Sequence, residues 1–219
     1  MSLNTLAANI GYPIDDIMDW TTLANDATVE KTAKALTERG IETIIVETGE
    51  EARQKVLQLI PKKSEVMHVS STTLAEIGLS KDIDESGEFD SLRKRIMAIT
   101  DATERNEFRR RTLSPDYGIG SVQAVTEDGQ VVIASASGSQ LPVYAYGATK
   151  LIWVVGTQKI VKDMDAAMKR IYEQALPLES ERAKKAYGVP GSSVNKILIF
   201  ERERPGRITL ILVKQKLGF

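Results

Sequence analysis

The sequence predicts an α/β fold: a mainly parallel sheet with helices on both faces. Three observations carry this. Helical periods and short apolar runs alternate between residues 26 and 77 in the order helix, strand, helix, strand, helix, the pattern of parallel strands joined by crossover helices. The runs at residues 41–47, 66–69 and 151–155 are nearly continuous in apolar character, as in strands covered on both faces. Two β-type runs, at residues 121–126 and 130–134, flank Asp128-Gly129, which predicts a β-hairpin.

Taken in order, residues up to Asn25 show no period. Ile17, Met18 and Trp20 are expected to clamp this segment (residues 1–25) onto the body as an extension. Asp26 opens a helix with Val29, Ala33 and Leu36 on one face and Gly40 as its stop. A strand at 41–47 leads to a helix at 50–60, ended by Pro61. A strand at 66–69 runs into a short helix at 72–77. Residues 90–112 read as one long helix through Leu92, Ile96 and Ile99. Ser114-Pro115-Asp116 reads as a cap with proline in the first helical turn. After the hairpin and the strand at 151–155, residues 163–175 form an amphipathic helix through Met164, Met168 and Ile171. The last two strands, 196–200 and 208–213, are joined across the charged residues 202–207 and predict an antiparallel C-terminal edge. With no repeat, low-complexity tract or Pro/Gly-rich linker, residues 1–219 are expected to form a single domain.

Composition narrows the function. A net charge of −1 gives no overall field for nucleic acid or an acidic membrane surface, and neither is an expected partner. The absence of cysteine excludes disulfides, thiolate catalysis and iron–sulfur ligation by this chain, and suits a reducing compartment, so a cytoplasmic location is expected. Residues 1–12 lack the basic-then-apolar order of a signal peptide, and no apolar run approaches the ~18 residues a membrane span needs.

Several site classes lose support. No P-loop is present. Gly118-Ile119-Gly120 begins a dinucleotide-binding fingerprint, but Gln123 replaces the third glycine and a strand follows. His68 is the only histidine, so no two-histidine metal site exists, and no metal is expected. It reads as a hydrogen-bonded core or crevice-rim residue. Arg105, Arg109, Arg110 and Arg111 have no aromatic platform for nucleic acid and read as a solvated helix end favoured by the dipole. Tyr144, Tyr146 and Trp153 read as packing.

Three segments share one layout, an apolar strand running into small polar residues. The first reaches Ser70, Ser71, Thr72 and Thr73. The second reaches Ser135, Ser137, Gly138, Ser139 and Gln140. The third reaches Gly156, Thr157, Gln158 and Lys159. The carboxyl ends of strands form the ligand crevice of open α/β sheets. Small residues and free N–H groups there suit a carboxylate or phosphate. Gly118 and Gly120 join this set, with Lys150 and Lys159 as added positive charge. Capping competes as an explanation, since Thr73-x-x-Glu76 and Ser137-x-x-Gln140 both match a capping box. Acid–base candidates are Glu76, Asp116 and Glu127. Spacing assigns a catalytic role to none of them, and no cofactor is indicated.

Residues 114–134, Ser-Pro-Asp-Tyr-Gly-Ile-Gly-Ser-Val-Gln-Ala-Val-Thr-Glu-Asp-Gly-Gln-Val-Val-Ile-Ala, form a Gly-Ile segment leading into a hairpin and a small-residue loop. With Lys150-Leu-Ile-Trp-Val-Val-Gly-Thr-Gln-Lys and the helix after it, this resembles the LUD domain family, the LutC/YkgG-like group once known as a domain of unknown function. The resemblance is best over residues 64–175. It implies a Rossmann-like parallel sheet similar to the NagB/RpiA/CoA-transferase-like fold. It also implies a link to bacterial L-lactate utilisation, in which a LUD-only subunit accompanies iron–sulfur partners. The chain departs from the family at Ser135-Ala136-Ser137-Gly138-Ser139, where an acidic loop residue is usual.

The expected role is therefore an accessory subunit binding a small anionic metabolite in organic-acid metabolism. The alternative is an isomerase or CoA-transferase-like enzyme using Glu76, Asp116, Glu127, Lys150 or Lys159. A third reading is an interaction protein acting through residues 109–111. A homodimer is compatible with the sequence through edge pairing of the strand at 208–213.

Overall fold

The computed structural model describes residues 19–219. Ile17 and Met18 lie outside the described residues. Trp20 is buried, and its Nε1–H donates to Glu173 Oε2 at 3.2 Å, so the start of the described chain is anchored.

The first half follows the expected order. Helix α1 (Asp26–Glu38) starts at Asn25, whose side chain accepts from the Thr28 N–H, and buries Val29, Thr32 and Leu36. Gly40, at φ 85°, turns the chain into strand β1 (Glu42–Val46). Helix α2 (Gly49–Leu59) is capped by Thr48 and precedes β2 (Glu65–His68). Two short helices follow, α3 (Thr72–Glu76) and α4 (Leu79–Glu85), then the two-residue strand β3 (Asp90–Ser91).

The expected long helix at 90–112 is two helices, α5 (Leu92–Ala98) and α6 (Ala102–Arg111). Ile99 turns to extended backbone, and Asp101 caps a new helix by accepting from the Glu104 N–H. The apolar stripe of α5 is not continued, for α6 buries no residue. Ser114-Pro115-Asp116 starts no helix either. It leads into strand β4 (Tyr117–Gly120), and the Asp116 carboxylate accepts from the Glu65 N–H at 2.9 Å. The hairpin is present as β5 (Ala124–Thr126) and β6 (Val131–Ser135), antiparallel around Asp128-Gly129. Strand β7 (Lys150–Gly156) passes through one tight turn, Thr157–Lys159, into β8 (Ile160–Val161). Helix α7 (Met164–Arg170) continues through a wide turn at Ile171–Ala175 into α8 (Leu176–Tyr187), well past the expected end at 175. The wide turn already interrupts the regular bond ladder, so Pro177 breaks nothing further. Strands β9 (Lys196–Phe200) and β10 (Ile208–Val213) complete the described chain.

Among the described residues the strands form two sheets, not one. The larger is parallel throughout, in the order β1-β10-β7-β4-β2-β3. The smaller is mixed, in the order β8-β5-β6-β9. The expected antiparallel edge is met by β9 alone. Strand β10 lies inside the large sheet, parallel to β1 on one side and β7 on the other, so its edge is not free for dimer pairing. Its residues explain this: Ile208, Leu210, Ile211, Leu212 and Val213 are all fully buried, which an edge would not accomplish.

The layers follow from which way side chains point. From β7, Ile152 and Val154 pack with Ala52, Val56, Leu74 and Leu79 of α2–α4. From the opposite face, Leu151, Trp153 and Val155 pack with Val29 and Leu36 of α1 and with Val125, Val131 and Ile133 of the small sheet. The reverse face of the small sheet, Ala124 and Val132, carries Ala166, Ala167 and Ile171. Parallel strands β2, β4 and β7 therefore finish together on one edge of the large sheet, with the small sheet overhanging it.

Candidate functional site

The exits of β2, β4 and β7 line a cavity of about 790 Å³. Its wall includes Ser70, Ser71, Thr72 and Thr73 after β2, Ser121 and Gln123 after β4, and Lys159 after β7. Ser135, Ser137, Ser139 and Gln140 come to it from the end of β6 in the small sheet. Residues from the three exits singled out by sequence line this cavity, one of those exits belonging to the second sheet, and the exit of β4 joins them through Ser121 and Gln123.

Lys159 organises the base. It is 1% exposed, and its Nζ donates to Thr73 Oγ1 and Ser121 Oγ, both at 3.0 Å. Burial, reinforced by the charge of Arg170 and opposed by that of Glu76, pushes its pKa down to about 7. Arg170 is also fully buried. Its Nη1 donates to the Gln123 carbonyl, while its Nε and Nη2 have no partner among the described residues. Burial lowers its pKa to about 10. Neither cation forms an ion pair with a described carboxylate. Arg170 lies behind the cavity wall; besides Lys159, the charged Arg and Glu side chains on the wall are Arg93, Arg105, Arg109, Arg182 and Glu179, and Glu179 is spent on Arg182 at 2.7 Å.

His68 also lines the cavity. Its Nε2 lies 2.9 Å from Asp84 Oδ1, and Nδ1 has no described partner. Burial pushes its pKa down and outweighs the pull of Asp84. Tyr144 and Trp153 are buried and meet edge-to-face at 5.6 Å. Tyr146 is 90% exposed, so it is not a packing residue.

The two capping boxes that the sequence suggests are not formed, although Ser71 is a helix cap. Ser71, not Thr73, caps α3, and Thr73 faces Lys159. Glu76 accepts from the Gly218 N–H at 2.6 Å and not from its own helix. Gln140 accepts from Ser135 Oγ at 2.9 Å, and Ser135 Oγ in turn accepts from the Gly138 N–H.

Five of the candidate ligand residues, Gly118, Gly120, Gly138, Gly156 and Thr157, do not line the cavity. A Cβ on Gly118 would meet the Val143, Ala148 and Leu151 side chains, and one on Gly120 would meet the Tyr144 hydroxyl, so both serve close packing of β4. Gly156 lies against the backbone of Gln215 and Leu217, and Thr157 is buried behind the base. Gly138, at φ 81°, turns the loop that carries Ser137 and Ser139. Lys150 stands at the opposite end of β7, bonded to the Gly206 carbonyl, and so adds no charge here. Asp116 is at the starting ends of the strands, and Glu127 pairs with Lys31 on the hairpin at 2.7 Å. Of the five acid–base candidates only Lys159 lines the cavity.

Among the described residues no helix is long and apolar enough to cross a membrane, and no cluster of three or more His, Asp or Glu side chains could hold a metal.

A family model described as the LUD domain matches residues 29–213. A crystal structure of a DUF162 family protein from Deinococcus radiodurans is similar in fold, with a TM-score of 0.53 at 10% identity, covering 88% of this chain and 99% of that one. No curated protein matches the chain.

Proposed function

The chain belongs to the LUD domain family, and from that premise we propose that it binds a small anionic metabolite above Lys159, as a LutC-like accessory subunit of organic-acid metabolism. One observation carries the ligand's charge. Lys159 and Arg170 are both buried, close enough to depress the Lys159 pKa, and unpaired with any described carboxylate. A buried charge without a counter-ion is costly, and an anion entering the cavity would relieve that of Lys159, which lines it, with the Arg170 charge behind the wall adding to the attraction. The rim arginines Arg93, Arg105 and Arg109 add attraction. Lactate as the metabolite and iron–sulfur subunits as partners rest on the LutC-like resemblance, and the cytoplasm as location on the absence of cysteine.

The test is calorimetric titration of the chain with L-lactate, ribose 5-phosphate, ADP and acetyl-CoA, each against Lys159→Met. Binding of one anion that the substitution abolishes supports the reading. Absence of binding by all four, with and without iron–sulfur partners, overturns it.

An enzyme of the isomerase or CoA-transferase type is the second reading. The near-neutral pKa of Lys159 favours it, because a general base works best with a pKa near the operating pH.

A further inference from the structure

Anion binding alone does not require the environment Lys159 has. A lysine kept only for its charge is best held protonated by a carboxylate, and here its two partners are hydroxyls. An uncharged amine has two N–H bonds and one lone pair. Thr73 Oγ1 and Ser121 Oγ accept those two N–H bonds at 3.0 Å each, which leaves the lone pair uncommitted on a residue that lines the cavity. Such an amine is a nucleophile toward a carbonyl carbon.

We propose that Lys159 forms an imine with the ketone carbon of a small anionic carbonyl compound, a 2-oxo acid or a ketose phosphate. The inference rests on the anion-binding reading of the same cavity and adds a covalent step to it. The Nζ lone pair attacks the carbonyl carbon, and the C=O π pair moves to oxygen, which takes up a proton. That proton comes from Nζ; the carbinolamine hydroxyl takes a second proton from solvent and leaves as water while the C=N bond forms, and the nitrogen keeps its remaining proton. One water is released and nothing is oxidised or reduced. Thr73 and Ser121 hold Nζ and are placed to pass protons between nitrogen and oxygen. The protonated imine carries one positive charge, that of the proton taken from solvent, beside the anionic group of its own ligand, so the two charges offset each other in the occupied cavity. At neutral pH a substantial share of the amine is already unprotonated, since burial and Arg170 both favour the neutral form.

The experiment incubates the full chain with pyruvate in one arm and dihydroxyacetone phosphate in the other, reduces with sodium borohydride, and maps the modified peptide by mass spectrometry. The expected result is one adduct per chain at Lys159, heavier by the carbonyl compound less one oxygen atom, and lost in Lys159→Arg. Labelling in the pyruvate arm identifies the 2-oxo acid class, and labelling in the other arm the ketose phosphate class. Adducts spread evenly over exposed lysines overturn the imine. So does absence of an adduct in both arms while calorimetry still records anion binding that Lys159→Met abolishes, and in that case the binding reading stands. Neither adduct nor binding removes both.

Discussion

Lys159 Nζ and Thr73 Oγ1 stand 3.0 Å apart and join the turn after β7 to the first turn of α3, across 86 residues of sequence. Thr73 is 1% exposed, and its hydroxyl also reaches the Leu217 carbonyl at 3.3 Å. One oxygen thus ties together two strand exits and the segment after β10. Thr73→Val keeps the volume and removes the oxygen. It should cost about 1–3 kcal/mol in urea unfolding, the cost of leaving buried polar partners unmade. Thr73→Ser should recover most of that loss, and an unchanged midpoint in the valine variant would show the bond to be idle.

Lys159→Met should behave oppositely. It removes a buried cation that Arg170 repels and replaces it with an apolar chain of similar length. Two hydroxyls lose a donor, but they remain beside each other, 3.3 Å apart. The balance at pH 7 favours the variant by on the order of 1–3 kcal/mol, together with loss of anion binding. Thermal unfolding without ligand reads the first effect and calorimetry the second. A destabilised variant would mean that the cation is already compensated.

The same residue fixes a pH dependence with a definite sign. The folded pKa, about 7, lies below the ordinary lysine value of 10.5. Between these values the unfolded chain holds a proton that the folded chain has released, so stability rises with pH through the interval. The full penalty is present below about pH 7 and is on the order of 5 kcal/mol. The charged groups that act on Lys159 are Arg170 and Glu76, and His68 and Tyr144 are titratable groups of the same cavity wall. His68 has a lowered pKa and changes charge only at or below the ordinary histidine range, while burial raises that of Tyr144. Melting temperature measured from pH 7 to 9 should therefore climb in the native chain and stay flatter in Lys159→Met. Parallel curves would assign the climb to other groups.

Arg109 tests the rim. It lies in the last turn of α6, a helix with no buried residue, and lines the cavity. Arg109→Gln should leave the unfolding midpoint within about 0.5 kcal/mol, as surface changes usually do. It should weaken anion binding severalfold at low ionic strength, with the gap closing as salt screens it. Equal affinities at all salt concentrations would return Arg109 to the solvated helix end that the sequence suggests.

Local periodicity was enough for α1, α2, β1, β2 and the hairpin, because each carries its own apolar pattern and caps. It failed where pattern is set by tertiary neighbours. Strand β4 is half glycine, since Tyr144 and Val143 press against it, and glycine reads as a loop. Missing β4 meant missing its exit, and hence Ser121 as the second partner of Lys159. Arg170 sat in an ordinary helical pattern, and nothing local distinguishes a buried arginine from a solvated one. The apolar run of β10 was visible, but an interior position depends on β1 and β7, which are distant in sequence. Lys159 itself was legible as a residue after a buried strand, whereas its hydroxyl partners were not.

Gly156 separates packing from ligand contact among the glycines that the sequence singled out. Its backbone is ordinary, with φ −66°, so an alanine meets no conformational penalty there. The obstacle is space. A Cβ would come within 2.6 Å of the Gln215 carbonyl oxygen and 2.8 Å of the Leu217 nitrogen, and 2.2 Å of the Gln158 side-chain oxygen. The glutamine can move only by giving up the bond from its Nε2 to the Leu217 carbonyl at 2.8 Å, and the other two atoms are backbone. Gly156→Ala must therefore push away the segment after β10, whose Leu217 carbonyl also meets Thr73. The expected cost is about 1–3 kcal/mol, the usual penalty of overpacking, read from urea unfolding. Anion affinity per folded molecule should fall as well, because Thr73 loses one of its fixed partners and Lys159 with it loses registry. A variant as stable as the native chain but unable to bind would instead place Gly156 against the ligand.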